Sequence, residues 1–233
     1  MSEEAIQRTF QRTLGELVTA KPAAAKVFHR YGLDFCCGGN RSLAAACAEA
    51  GINAETVAQE IERLASDGPD PIGWNTRPLK ELVEHILQCY HAPLKEEIPR
   101  LIDLARKVEQ VHADKPDCPV GLAELLVCVR EAVESHLAKE EQILFPMIVA
   151  GRGQMAHMPV QVMMQEHEDH GQNLKRIREL TNDLTIPEYA CTAWRELYRS
   201  LEQLECDLMA HIHLENNILF PRALTEEPEK GIE

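Results

Sequence analysis

The sequence predicts an all-α protein in which a small N-terminal helical module precedes an antiparallel four-helix bundle. Composition is the first observation, because 45% of the 233 residues are hydrophobic but only 5% are aromatic, a balance typical of helical proteins. Periodicity is the second, since apolar residues recur at steps of three and four over about 79–112, 120–150, 160–184 and 188–222. Short polar or proline-containing connections separate these four segments, which favours antiparallel packing.

Residues 1–66 are predicted to form the N-terminal module, in which glycine stops separate short helices from residue 13 onward. Gly32 and Gly51 each follow a helical segment, and Asn53 is expected to cap a last helix that ends near Ala65. A module of this length has a thin core, so a homodimer formed through it is a further expectation.

Residues 67–78 concentrate proline and glycine and are predicted to be a linker, because both residue types oppose regular structure. The bundle is then expected to span residues 79–225. Pro93 and Pro99 should kink or interrupt its first helix, since proline lacks the N–H donor of a helical turn.

The charge balance excludes one class of partner. The chain has 24 basic and 38 acidic residues, and a net charge of −14 argues against a nucleic-acid-binding face. Residues 1–6 lack the basic and apolar regions of a signal peptide, and no apolar run approaches the ~18 residues of a membrane helix. The expected location is therefore the cytoplasm without membrane contact, where the eight cysteines should be largely reduced.

An internal repeat lies in the second and fourth predicted helices. Residues 136–146, HLAKEEQILFP, recur as residues 211–221, HIHLENNILFP. A further histidine precedes each copy, with 45 residues from His91 to His136 and 44 from His167 to His211. Two helix pairs of this form predict a duplicated helical hairpin.

The repeat predicts a metal site in the core of the bundle. A spacing of four residues sets each histidine above a glutamate on one helix face, and apolar stripes, which include Ile143, direct these faces inward. Buried carboxylates require cations, and a nitrogen and oxygen donor set without thiolate suits iron or manganese and also zinc. We predict two metal ions bridged by two carboxylates, with positions left open for oxo, water or a diatomic ligand. The predicted ligands are His91, His136, Glu140, His167, His211 and Glu215.

Several other polar residues lie outside the predicted ligand set. Glu166, beside His167, is a candidate accessory carboxylate, although a solvated side chain is favoured. A ferritin-like centre needs Glu-x-x-His on two helices, and only Glu109 and His112 offer that spacing. The histidines outside the repeat are expected at the surface or behind the ligands: His85, His112, His157, His170 and His213.

Cys36 and Cys37 are adjacent, and two glycines and a helix start at Ser42 follow them. We expect exposed backbone amides and Arg41 to lower a thiol pKa there, which would make this pair the candidate catalytic thiols for redox or metal handling. A tight turn containing two small residues is the alternative. Core packing is expected for the other six cysteines.

Three motifs together carry a family resemblance. Residues 33–39, LDFCCGG, resemble an ScdA-type domain, the two His-x-x-x-Glu-x-x-x-x-Phe-Pro blocks resemble a hemerythrin-like domain, and residues 108–116 resemble the stretch between its first two helices. The chain thus resembles the YtfE/ScdA family of iron–sulfur cluster repair di-iron proteins. The resemblance implies two non-haem iron ions, oxo- and carboxylate-bridged, with the four histidines as terminal ligands and Glu140 and Glu215 as bridges.

The implied function is repair of iron–sulfur clusters damaged by nitrosative or oxidative stress, through iron donation or nitric oxide handling. Its implied partners are damaged iron–sulfur proteins and nitric oxide or another small diatomic ligand. Three alternatives stay open at this point. They are a module that binds or senses nitric oxide or oxygen without repair, a nitric oxide reductase activity at the two irons, and a purely structural bundle.

Overall fold

The computed structural model describes residues 3–64 and 73–226, and it confirms the all-α class. Within these residues the regular structure is helical, apart from one isolated bridge between Thr13 and Ser42. Five short helices form the N-terminal module: α1 (Glu3–Gln11), α2 (Leu14–Ala20), α3 (Ala24–Arg30), α4 (Leu43–Ala50) and α5 (Ala54–Arg63). Helix α1 was not predicted, because helices were expected only from residue 13 onward.

Local side chains fix the ends of these helices. Thr13 accepts from the N–H of Glu16, whose carboxylate accepts from the N–H of Thr13 in return, so α2 begins with a capping box. Asn53 caps α5 as predicted, and Gly51 ends α4 at φ 68°, a left-handed conformation that suits glycine. Residue 65, where α5 was expected to end, lies outside the described residues.

The bundle is built from longer helices, several of which contain a widened turn with the hydrogen-bond pattern of a π-helix. Its helices are α6 (Leu79–Ile86), α7 (Ala92–His112), α8 (Leu122–Lys139), α9 (Phe145–Val149), α10 (His157–Leu180), α11 (Thr192–Leu214) and α12 (Phe220–Thr225). The predicted linker at 67–78 lies partly outside the described residues. None of the described helices is both long and apolar enough to cross a membrane.

The three widened turns, Leu87–His91, Glu140–Leu144 and Glu215–Leu219, each stand two residues before a proline. Proline cannot donate to the carbonyl four residues earlier, and a turn with five-residue hydrogen bonds absorbs that loss without ending the helix. Pro93 and Pro99 were expected to kink or interrupt the first bundle helix; it is not interrupted, because the chain stays helical through the widened turn before Pro93 and α7 continues through Pro99.

One residue within these turns departs from the predicted buried stripes. Ile143 was expected to continue the buried stripe of the second bundle helix, but its side chain is 54% exposed and Leu144 is buried instead. The equivalent Ile218, in the turn Glu215–Leu219, is buried as predicted, so the widened turn alone does not account for the exposure of Ile143.

Two apolar clusters fill the interior. One joins the N-terminal module to the bundle, with Phe28 and Phe35 packed in the same cluster as Leu101 and Leu204. The other surrounds Phe145 and includes residues of α6, α10 and α12. Between them lies a layer of buried histidines and glutamates, and this layer is the candidate site.

The N-terminal module contacts the widened turn before α12 through Asn217. The side-chain amide of Asn217 donates to the carbonyls of Phe35 and Cys36 at 3.2 Å each. A Cβ atom at Gly39 would meet Asn217 Oδ1 at 2.4 Å and the Phe35 carbonyl oxygen at 2.6 Å. Only glycine fits this approach.

Alanine at position 39 should lower the free energy of unfolding by about 1–3 kcal/mol, because a backbone atom must move to admit the methyl group. Urea unfolding of the purified variant measures the loss. Gly171→Ala is the control, since a Cβ atom at this position of α10 would have nothing within 4 Å and alanine favours helix by about 0.5–1 kcal/mol. If Gly39→Ala and Gly171→Ala were equally stable, the close contact between Gly39 and Asn217 would be contradicted.

An ion pair joins α3 to the bundle. His29 Nε2 lies 3.1 Å from Glu205 Oε2, and Arg178 binds the same carboxylate at 2.6 Å while also lying 3.3 Å from His29 Nε2. Hydrogen bonds to Cys206 and Glu205 raise the pKa of His29 from 6.5 to about 10. The carboxylate is thus shared by two cations.

This pair predicts a pH dependence of stability. Because the folded pKa of His29 lies above its ordinary value, its contribution is complete below pH 6.5 and is lost as the pH rises through about 10. We expect His29→Gln to cost about 1–2 kcal/mol at pH 6, after solvent screening is allowed for, and much less at pH 10. Thermal unfolding of both proteins across this range is the measurement, and a constant difference would contradict the assignment.

Candidate metal centre

The structure brings the six predicted ligand residues together in one buried layer. Their side chains are at most 2% exposed. They form two donor groups, each with ligand atoms within 4.8 Å of one another, and both groups contain the same two glutamates. The first group is His91, His211, Glu140 and Glu215, and the second is His136, His167, Glu140 and Glu215.

In the first group the two imidazoles face each other, with His91 Nε2 3.1 Å from His211 Nε2. His211 Nε2 lies 2.9 Å from Glu215 Oε1, and His91 Nε2 lies 3.5 Å from Glu140 Oε2. Four donor atoms therefore converge on one point. Both imidazoles present Nε2 to it.

The second group repeats this arrangement. His136 Nε2 and His167 Nε2 are 3.1 Å apart. His136 Nε2 lies 3.4 Å from Glu140 Oε2, and His167 Nε2 lies 3.1 Å from Glu215 Oε2. Since the two oxygens of Glu215 face different groups, one carboxylate can bridge two cations.

The electrostatics of the layer suit cation binding. Burial and the charge of Glu215 raise the pKa of Glu140 well above its ordinary value. Burial also opposes ionisation of Glu215, but the charge interaction with His211 outweighs it and holds the pKa of Glu215 well below the ordinary range. Burial lowers the pKa of His136 to about 2, so this imidazole is neutral and has a free lone pair.

Glu140 provides the test of whether these residues fit a metal. Its carboxylate is fully buried, yet neither oxygen has a hydrogen-bond partner among the described residues. An unpaired carboxylate in such a position is expensive, and a cation held between the two groups removes the cost. The donor set and this orphaned carboxylate both fit a binuclear metal site.

Three side chains orient the ligand imidazoles from behind. Glu141 accepts from Nδ1 of His91 at 2.9 Å and is itself held by Lys95. Glu166 accepts from Nδ1 of His136 at 3.0 Å and is held by Lys139.

Asn216 accepts from Nδ1 of His167 at 2.8 Å, whereas Nδ1 of His211 has no protein acceptor among the described residues. An acceptor at Nδ1 fixes the tautomer that leaves Nε2 free for metal. Three of the four imidazoles are therefore oriented by the protein in this way.

Sequence reasoning missed Glu141 and Asn216, although a signal was present, because both directly follow a shared glutamate in the repeat. Glu166 was favoured as a solvated side chain and instead contacts His136. Among the histidines outside the repeat, His170 packs behind His136 at 4.9 Å between ring centroids, and His157 is exposed. Glu109 and His112 lie away from the layer, where Glu109 accepts from the N–H of Ala123.

The Cys36 and Cys37 thiols are free and lie 3.9 Å apart. The backbone amides that were expected to face them donate instead to Asp34 Oδ1, at 3.1 and 2.9 Å, and Arg41 pairs with Glu49. A hydrogen bond to Cys37 and burial raise the pKa of Cys36 well above its ordinary value. The prediction of a lowered thiol pKa is therefore wrong for Cys36.

Other cysteines also depart from expectation, since Cys89 and Cys128 are exposed and do not pack in the core. The Cys36 loop nevertheless adjoins the layer. The amide of Asn216 donates to the Cys36 carbonyl at 3.3 Å while its oxygen accepts from His167. One asparagine thus connects the N-terminal module to a ligand residue.

Comparisons with known proteins match both parts of the chain. The family model described as hemerythrin HHE cation binding domain matches residues 82–223, and ScdA_N, described as a domain of unknown function (DUF542), matches residues 10–65. The iron–sulfur cluster repair protein YtfE of Pectobacterium atrosepticum is 44% identical over 93% of this chain and 98% of its own length. Those of Citrobacter koseri and Escherichia coli O157:H7 are each 46% identical over 92% of this chain and 97% of their own.

Proposed function

Since the chain belongs to the family of YtfE-type iron–sulfur cluster repair proteins, we propose that it repairs iron–sulfur clusters damaged by nitrosative or oxidative stress. The observation that carries the proposal is the buried layer with two donor groups that share two carboxylates, beside a module that presents two free thiols. Its clients would be damaged iron–sulfur proteins, and its location the cytoplasm.

We propose iron as the metal, with one ion held by His91 and His211, the other by His136 and His167, and both by the two glutamates. When bound, iron supplies redox capacity and affinity for nitric oxide. The protein supplies four imidazole nitrogens and two carboxylates in a layer between apolar clusters. Four protein donors at each ion leave room for an exogenous ligand.

The residues behind the ligands hold the donor atoms in place. Glu141, Glu166 and Asn216 each accept from an imidazole Nδ1, which keeps Nε2 aimed at the metal. Lys95 and Lys139 neutralise the two outer carboxylates. These contacts favour metal retention over release, so iron donation to a client would require a change at the layer.

Cys36 and Cys37 are proposed as the reactive thiols of the N-terminal module. Their loop contacts the bundle through Asn216 and Asn217, at 3.3 and 3.2 Å from the Cys36 carbonyl oxygen. Cys37 is half-buried and can meet a client or a small ligand close to the metal layer, whereas Cys36 is buried. Cys36 requires a base or a bound cation to form thiolate, because its pKa is raised.

Reactivation of an iron–sulfur enzyme inactivated by nitric oxide tests the proposal. Iron-loaded protein should restore activity, whereas metal-free protein, Glu215→Ala and an equal amount of free ferrous iron should not. Cys36→Ser/Cys37→Ser should retain its iron and lose part of the reactivation. If iron-loaded protein restored no more enzyme activity than free ferrous iron, the repair function would be overturned.

Binding or sensing of nitric oxide or oxygen is a second candidate, favoured by the small number of protein donors at each ion. Nitrosyl formation without iron loss, and without reactivation of a client, would support it. Rapid nitrous oxide production would instead indicate a nitric oxide reductase.

A further inference from the structure

A second set of potential metal ligands lies outside the histidine layer, in the loop that follows α3. One carboxylate oxygen of Asp34 and the Sγ atoms of Cys36 and Cys37 all lie within 4.8 Å of one another. Cys36 Sγ is 3.2 Å from Asp34 Oδ1 and 3.9 Å from Cys37 Sγ. A disulfide bond is only about 2.05 Å long, so these sulfur atoms are separate donors.

The distances match the edge of a coordination tetrahedron. Two thiolates at about 2.3 Å from a tetrahedral metal lie about 3.8 Å apart, and a thiolate and a carboxylate oxygen lie about 3.6 Å apart. The observed 3.9 and 3.2 Å require only small side-chain movements to admit an ion. We propose that Asp34, Cys36 and Cys37 form a second metal site, which takes a thiophilic divalent cation such as Zn²⁺ or Fe²⁺.

The loop is already shaped around these donors. Asp34 Oδ1 accepts from the N–H groups of Cys36 and Cys37 and so fixes the turn that brings both sulfurs to the same side. The three residues line a cavity of about 290 Å³, and Gly171 and Glu205 also line it. A fourth donor, from water or from a bound molecule, can enter from this cavity, and a site with an open position exchanges its ion readily.

The local charge also favours a cation. Two thiolates and one carboxylate would place three negative charges in this loop, and Arg41, which follows in the chain, is engaged by Glu49 and the Gly38 carbonyl. Of the four basic residues that line the same cavity, His29 and Arg178 pair with Glu205 and Arg30 pairs with Glu60, while Lys175 is the fourth. The raised pKa of Cys36 reflects this clustering, because Cys37 and Asp34 both oppose its ionisation. Binding of a divalent cation replaces the two thiol protons, which leave to solvent, so about two protons are released for each ion bound.

Cobalt titration of the reduced, iron-loaded protein tests the site. The histidine layer contains no sulfur donor, so a thiolate-to-cobalt charge-transfer band can come only from cysteine ligands. We expect one equivalent of Co²⁺ to produce this band, with release of about two protons in a weakly buffered solution. Zn²⁺ should displace the cobalt and abolish the band.

Cys37→Ser and Cys36→Ser should each lose most of the band, and Asp34→Asn should weaken cobalt binding by about tenfold or more. Cys128→Ser is the matched control, because this thiol is exposed on α8, and it should leave the titration unchanged. Retained iron content and an unchanged circular dichroism spectrum show that a variant is folded. Cys37→Ser is the variant least expected to misfold, because Cys37 is only half-buried.

A titration without the band, or a band that persists in both Cys37→Ser and Asp34→Asn, would overturn the second site. This inference does not rest on the repair function. Cobalt can bind the loop even if the protein does not reactivate a client, and the protein can reactivate a client even if cobalt does not bind the loop. Failure of the second metal site and failure of the repair function are therefore distinguishable.

Discussion

Alanine at position 215 is expected to empty both metal positions, so that the content falls from about two ions per chain to near zero. Glu215 belongs to both donor groups, with one oxygen 2.9 Å from His211 Nε2 and the other 3.1 Å from His167 Nε2. Its removal takes a donor from each ion and leaves Glu140 as the only shared carboxylate. Loss of a single histidine removes a donor from one ion alone.

Metal analysis is done in the Cys36→Ser/Cys37→Ser background, so that the loop proposed above as a further metal site holds no ion, and Glu168→Ala in the same background is the matched control. Glu168 lies one residue beyond His167 on α10 but is exposed, so its loss should leave the metal content unchanged. His211→Ala should fall between the two, with the second position partly occupied. Retention of a full ion by Glu215→Ala would contradict a shared bridge.

The ligands could be predicted from sequence because the duplication repeats one pattern in both halves of the bundle. A single buried histidine is ambiguous, but His-x-x-x-Glu in two copies, each with a histidine about 45 residues upstream, restricts the helix faces that can meet. The all-α class followed from periodicity in the same way. The family comparisons confirm that class, and the binuclear arrangement is consistent with the two groups found.

The widened turns could not be predicted from periodicity. Pro93 signalled a break, but whether a helix ends or widens at a proline depends on what packs around the freed carbonyl. Ile143 was assigned to the core by counting along an ideal helix. Ile143 is exposed and Leu144 is buried, whereas the equivalent Ile218 of the fourth bundle helix is buried as counted.

The Cys36 loop shows a different limit. Adjacent thiols, glycines and Arg41 suggested stabilised thiolates, but the sequence does not state which group takes the backbone amides. Asp34 takes them, three residues or fewer away, and the pKa of Cys36 rises instead of falling. Competition between neighbouring acceptors is decided by loop geometry.

The duplication also reaches the residues behind the ligands, and there it is imperfect. Glu141 and Asn216, which directly follow the shared glutamates, contact His91 and His167 in equivalent ways. The residues that precede the first histidine of each half are equivalent in position as well.

Glu166 accepts from His136 Nδ1, but its counterpart Tyr90 only stacks on the ring of His211, with centroids 5.8 Å apart. At the metal position formed by His136 and His167, both imidazoles are therefore oriented by hydrogen bonds. At the metal position formed by His91 and His211, only the His91 imidazole is oriented in this way, since His211 Nδ1 has no acceptor in the described part of the chain.

This asymmetry predicts that iron leaves the centre in two phases when a chelator is added. An outer hydrogen bond to a ligand histidine is worth about 10–100-fold in metal affinity, so the ion at His91 and His211 should leave first by a factor of that order. Stopped-flow absorbance of the iron–chelator complex measures both phases. Glu166→Gln weakens the partner of His136 and should bring the two phases together, while Glu168→Gln on the same helix should not. A single phase in the native protein would mean that the missing acceptor at His211 has no effect on how the ion is held.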